Sequence, residues 1–354
     1  MRLFPYPLEV PSSKTNLFHL PCSLQEAPVV IIPAPWDVTG TSGSGASLGP
    51  ESILKASYKL SLFAYEHTPI HEMGIFMLPI PHDWKMLSDE LRHDTANYIH
   101  TAEWDMDCPA PRKDVLQKVN RHTRQFKNDV KVKALNYLNK GKLVAVLGGD
   151  HSTPLGLIEA LAERNESFGI LHINAHAALR KAYQGFTYSH ASIMYNALKV
   201  PQVKKLIQVG LRDYTEEEIE ITQAEKGRVV NFMDRYLKNQ RFQGVTWKAS
   251  CQEIIATLPE KVYVSLDIDG LDAKLCPGTG TPVPGGLDFN EARYLFDALN
   301  TAGKKIIGFD LCEVAPGDNL AWDAEVGSRM LYTLAYNMAR SQGKMPGTKP
   351  ASSQ

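Results

Sequence analysis

Paired cysteines are missing from this 354-residue chain: Cys22, Cys108, Cys251, Cys276 and Cys312 are scattered, odd in number, and never spaced as CxxC. Neither a disulfide framework nor a zinc site built on thiolates is indicated, and a reduced, cytoplasmic setting is expected. Cys276 and Cys312 read as small apolar filler. Long hydrophobic runs are also absent, so no segment is expected to span a bilayer. The opening stretch MRLFPYPLEVPSSKTNLFHL is interrupted by prolines and polar residues, unlike a signal peptide. Charge of one sign is lacking too, with 38 basic against 39 acidic residues. That balance argues against partnership with nucleic acid or a membrane surface. No internal repeat is visible. Gly43, Gly45 and Gly49 miss the GxGxxG spacing by one residue, which argues against a dinucleotide loop.

What is present is ordinary globular composition, 44% hydrophobic and 22% charged, in a length suited to one large α/β domain or two smaller ones. Residues 1–25 read as an extended arm and 342–354 as a loose tail. Between them lie short apolar runs: VVIIP, LVAVLG, GILHIN, KLIQVG, VYVSLDI and KIIGFDL. Most are followed by helical spacing, as in STPLGLIEALAER, where Ser152 and Thr153 are placed to cap a helix. Residues 82–114, with Pro, Trp and Asp mixed irregularly, read as a long loop or insertion. A closing helix is expected from Asp323 to about Ser341. Alternating strands and helices predict a mostly parallel sheet with helices on both faces. No Pro/Gly linker divides the alternation, so residues 26–341 form one domain.

Ligands of such sheets bind beyond the carboxyl ends of the strands, and three polar clusters fall there. LGGDHS (147–152) has two glycines for a sharp turn and brings His151 to its crest. INAHAALR (173–180) offers Asn174 and His176 on one face. SLDIDG (265–270) offers Asp267 and Asp269 before a glycine. Each is weak alone; two imidazoles and two carboxylates at neighbouring strand ends favour a divalent metal site.

These motifs resemble those of the arginase family of ureohydrolases, which includes agmatinases and formiminoglutamases. GGDHS at 148–152, the segment around His176, and SLDIDGLD at 265–272 match its metal-bearing motifs in order. CPGTGTPVPGG (276–286), DLCEVAP (310–316), YSHAS (188–192) and TSGSGASLGPESI extend the likeness over about residues 29–338. The resemblance implies a three-layer α/β/α fold with a mostly parallel sheet, assembled as a homo-oligomer, a trimer or hexamer. It implies two Mn²⁺ ions held by two histidines and four aspartates. It also implies hydrolysis of a C–N bond in a linear guanidine or amidine, by water activated between the paired ions. Carried over by position, His151, Asn174, His176, Asp267 and Asp269 fall at ligand sites. Glu313 falls where a carboxylate grips the cationic substrate, and His190 where a histidine relays protons.

One motif departs from the family. Where it writes Asp-Ala-His-x-Asp, this chain writes Asn174-Ala175-His176-Ala177-Ala178. Asn174 brings a carbonyl without charge, and Ala178 brings nothing. Two dications balanced by four carboxylates would here meet only Asp267 and Asp269, so one ion or none is expected. The outcome is either a ureohydrolase with an impaired metal centre or an inactive pseudoenzyme kept as a binding or regulatory subunit. Ala273, where the family commonly has proline, reads as local loop chemistry. Arg180 and Lys181 read as exposed residues at a helix start.

Overall fold

The computed structural model describes residues 16–20, 22–40, 45–60, 74–104, 113–316 and 321–345. Most of the expected N-terminal arm and C-terminal tail lies outside the described residues. Eight strands form one parallel sheet: β1 (Val29–Ala34), β2 (Ile75–Met77), β3 (Leu143–Gly148), β4 (Phe168–Ile173), β5 (Val203–Leu211), β6 (Val229–Met233), β7 (Lys261–Asp267) and β8 (Lys305–Cys312). Their order is β2-β1-β3-β8-β7-β4-β5-β6, with every pair parallel.

Alternation along the strands explains the three layers. Val29, Ile31, Ala145, Leu147, Leu171, Ile173, Val264 and Leu266 join one apolar cluster, whereas Val30, Ile32, Val144, Val146, Ile170 and Tyr263 join the other. Successive side chains point to opposite faces, so strands apolar throughout need cover on both sides. Helices α1 (Gly49–Ser57), α8 (Trp247–Ala256), α9 (Phe289–Thr301) and α10 (Trp322–Ser341) bury residues in the first cluster. Helices α2 (His82–Trp104), α3 (Lys113–Leu138), α4 (Leu155–Ala162) and α5 (Ile193–Leu198) do so in the second. Two further helices, α6 (Glu216–Ala224) and α7 (Asp234–Phe242), follow β5 and β6. Among the described residues, no helix is long and apolar enough to cross a membrane.

Residues 82–104, expected as part of a long loop, are instead helix α2, and 105–112 lie outside the described residues. Its buried stripe is Trp84, Ser88, Leu91, Thr95 and Ile99, a helical spacing interrupted by two hydroxyls. Those hydroxyls are buried because they bind the turn after β1. Ser88 Oγ accepts from the Asp37 N–H at 3.1 Å and donates to its carboxylate at 3.3 Å. Thr95 Oγ1 donates to the Val38 carbonyl at 2.6 Å, and Arg92 donates to the carbonyls of Asp37 and Gly40. The helix therefore clamps a loop beside the strand ends. Polar residues doing this work hid the amphipathic pattern.

Candidate metal and substrate site

The four central strands β3, β8, β7 and β4 are contiguous, although they come from distant parts of the chain. Their carboxyl ends bring together the residues the motifs singled out. His151 follows β3, and its Nδ1 lies 3.1 Å from Asp267 Oδ2 at the end of β7. His176 follows β4, with Nδ1 2.8 Å from Asp269 Oδ2. Glu313, one residue past β8, accepts the His151 backbone N–H on Oε1 at 2.8 Å. Glu313 has a left-handed backbone, φ 62°, and donates its own N–H to the Gly149 carbonyl at 2.9 Å. Strain of that kind, about 1–3 kcal/mol, persists where the surroundings over-determine it.

Asn174 is 2% exposed, and its amide orientation is fixed by its neighbours. Its Oδ1 accepts the His176 N–H at 2.6 Å, so Nδ2 must face the other way. Nδ2 lies 3.0 Å from Asp267 Oδ2 and 3.0 Å from His151 Nδ1. A donor NH₂ thus points between the Asp267 carboxylate and the His151 ring. Ala178 is 3% exposed and also left-handed, with φ 53°. Gln208 on β5 braces this segment by donating Nε2 to the Ala177 carbonyl at 2.7 Å.

Buried acids crowd the site. Burial, followed by the Asp269 charge, pushes the Asp267 carboxyl up to about 6 against the pull of His151. Burial also pushes Asp150 up to about 6; Ser152 hydrogen bonds resist, and the Asp37 charge assists. Glu313 stands well above the usual carboxylate range through burial, then through Asp267 and Asp150. Burial alone would lower His151, but Asp267 and Asp310 hold it well above its ordinary value. Burial likewise opposes the charge on His176, and Asp269 outweighs it. Acids that drive one another up define a pocket electrostatically suited to a cation.

His190 lies within electrostatic reach of His176, its ring edge-on to Tyr183 at 5.2 Å. Its Nδ1 is buried and without a partner. Burial, then the His176 charge, depresses its pKa to about 3. A folded value below the unfolded one means stability is present above about pH 6.5 and is lost as pH falls towards 3. Part of the residue remains at the surface, which weakens the effect. His190→Phe should keep full stability at pH 7 and flatten the acid decline by about 2–4 kcal/mol, as measured by urea unfolding at several pH values.

Several participants were not evident in sequence. Ser265 Oγ lies 2.8 Å from His151 Nε2, and Asp310 Oδ1 lies 3.4 Å from the same nitrogen. The Ser-x-Asp spacing before Asp267 was the available signal for Ser265. Asp310 lies within the otherwise apolar run of β8, which gives no local signal of a partner. Ser152 and Thr153 do not cap α4, whose cap position is Pro154; they turn back onto Asp150 instead. Arg180 and Lys181 start no helix. They lie in the loop before α5, Arg180 over the Tyr183 ring and Lys181 paired with Glu217.

Sequence and fold both match known proteins. The Arginase family model matches residues 27–338, and the chain belongs to that family. It is 33% identical over 294 residues to an N(1)-aminopropylagmatine ureohydrolase of Thermus thermophilus, covering 82% of this chain and 84% of that one. It is 27% identical over 317 residues to an agmatinase of Pyrococcus horikoshii, covering 89% and 93%. In architecture it resembles proclavaminate amidino hydrolase from Streptomyces clavuligerus, with TM-score 0.70, 22% identity, and coverage of 96% and 100%. The three-layer expectation is met.

Proposed function

We propose that this protein is a ureohydrolase with an impaired metal centre that cleaves a C–N bond in a linear guanidine or amidine. The observation that carries the proposal is the convergence of His151, His176, Asp267, Asp269 and Glu313 at four adjacent strand ends. Glu313 is the residue to accept N–H donors from a guanidinium, in a charge-assisted and geometrically matched contact. The neighbouring acids favour the cationic form of that substrate. His190, near His176 and with one unpartnered nitrogen, keeps the place of a proton relay, although burial and the His176 charge leave it a weak base. Relatives named for agmatine and N(1)-aminopropylagmatine make substrates of that class the first to try.

The donor set does not fit a pair of Mn²⁺ ions. Asn174 presents hydrogen rather than a lone pair, and Ala178 presents a methyl group. Asp267 is already engaged by His151, by the Asn174 amide and by the Asp269 N–H. His176 and Asp269 remain as a two-donor remnant that suits at most one hard cation with water completing its shell. Such an ion would supply Lewis acidity and lower the pKa of water. The same reading includes a cytoplasmic homo-oligomer, a trimer or hexamer.

The alternative is a pseudoenzyme serving as a binding or regulatory subunit, and the amide filling the bridging position favours it. A panel of agmatine, N(1)-aminopropylagmatine and shorter guanidines, assayed for urea release with Mn²⁺ titration, separates the two. Slow, Mn²⁺-dependent release supports the hydrolase. Saturable binding without release supports the subunit. After dialysis against Mn²⁺ and gel filtration, at most one Mn²⁺ should remain per chain. Two firmly retained ions would defeat the charge argument.

A further inference from the structure

We propose a second, softer metal site beneath the first, formed by His151 Nε2, Asp310 Oδ1 and Cys312 Sγ, that takes a single Zn²⁺-like ion. Among the described residues, this is the group of three His, Cys, Asp or Glu side chains whose donor atoms all lie within 4.8 Å of one another. All three residues are buried, His151 at 1% exposed and the others at 0%. Nε2 and Oδ1 are 3.4 Å apart, and Oδ1 and Sγ are 3.5 Å apart. Bonds of about 2.0–2.3 Å to a tetrahedral ion place neighbouring donors about 3.3–3.8 Å apart, so these two edges already have the required length.

The two faces of the His151 ring are used differently. Its Nδ1–H donates to Asp267 Oδ2 at 3.1 Å, beside the Asn174 amide, which leaves the lone pair on Nε2. Its Nε2 faces Asp310 and Ser265. The other Asp310 oxygen accepts the Tyr263 hydroxyl at 2.7 Å, which fixes the carboxylate and leaves Oδ1 towards the cluster. An outer partner of that kind orients metal ligands. Thr153 Oγ1, 3.5 Å from Sγ, and Ser265 Oγ complete the polar wall. Gly148 allows this approach, since a Cβ there would lie 2.6 Å from both Sγ and Thr153 Oγ1.

Charge is the decisive contrast with the upper site. One dication, one carboxylate and one thiolate sum to zero, which a fully buried location tolerates. A nitrogen, oxygen and sulfur set selects Zn²⁺ or Co²⁺ over Mn²⁺. On binding, the ion displaces the thiol proton of Cys312 and any proton on Nε2, and both leave to solvent.

The test uses the full chain, stripped with a chelator and given one equivalent of Co²⁺. Thiolate ligation should produce an intense sulfur-to-cobalt charge-transfer band in the near ultraviolet. The band should vanish in Cys312→Ser and persist in Cys276→Ser, whose thiol bonds the Ile268 carbonyl elsewhere. A missing band in the unaltered protein, or one retained in Cys312→Ser, overturns the proposal. Should Cys312→Ser fail to fold, X-ray absorption on the unaltered Zn²⁺ protein decides: one sulfur neighbour is expected at about 2.3 Å, and a shell of only nitrogen and oxygen overturns it. Both spectra are recorded without substrate, so neither depends on whether the protein turns over guanidines.

Discussion

Restoring aspartate at both positions 174 and 178 should raise hydrolysis of an agmatine-class substrate by about 100-fold or more, a gain of roughly 3 kcal/mol in transition-state stabilisation. The geometry gives the reason. In Asn174→Asp, the oxygen that accepts the His176 N–H at 2.6 Å keeps its bond. The second oxygen replaces Nδ2, 3.0 Å from Asp267 Oδ2, so two carboxylates face each other where a donor met an acceptor. A cation between them relieves that repulsion, and without one the pair must share a proton. Ala178→Asp adds a further carboxylate at a left-handed residue, a conformation aspartate adopts more readily than alanine. The double variant should therefore melt earlier than the parent in chelator, melt later with Mn²⁺, and retain two ions after dialysis. Two retained ions without increased urea release would show that more than these ligands separates the chain from an active ureohydrolase.

Gly149→Ala should have the largest effect on stability, a loss of about 4 kcal/mol or more. An added Cβ would overlap the Trp36 carbonyl oxygen and lie 2.7 Å from that of Ala34. Neither obstacle is a flexible side chain. Both carbonyls accept hydrogen bonds at the same turn, from Gly149 N at 2.9 Å and Asp150 N at 2.8 Å, while Glu313 N binds the Gly149 carbonyl. Relief would have to open the seam joining β1, β3 and β8, so both folding and the position of Glu313 would suffer. Thermal melting should show a fall of at least about 8 °C or an insoluble product. Gly45→Ala is the control, since a Cβ there meets nothing within 4 Å, and it should stay within about 0.5 kcal/mol of the parent. Equal melting temperatures for the two variants would show that the turn yields more easily than its contacts imply.

How much of this was legible in the sequence depended on whether an interaction was local. Strands β3, β4, β7 and β8 were visible as apolar runs, and the polar residues after them pointed to a site because parallel sheets bind at those ends. Helix α2 was not visible, since Ser88 and Thr95 occupy core positions and their partners in the turn at 37–40 lie about 50 residues away. Asp310 is inconspicuous in sequence, and Cys312 reads there as apolar filler, for a related reason. Their meaning depends on β8 lying between β3 and β7, which puts Cys312 opposite Asp267 and brings Asp310 to His151. Spacing along one strand carries no information about which strand becomes its neighbour.

The sheet is sealed by Ile173 and Leu266, both fully buried, just below the residues at 174 and 267. Cohesion of the molecule therefore resides in apolar side chains that carry no ligand atoms. Mutations at the rim can erode chemistry without exposing the protein to degradation, and selection against misfolding is blind to them. Substitutions among the polar rim residues can therefore alter the chemistry of the strand ends while the apolar layer beneath keeps the chain folded.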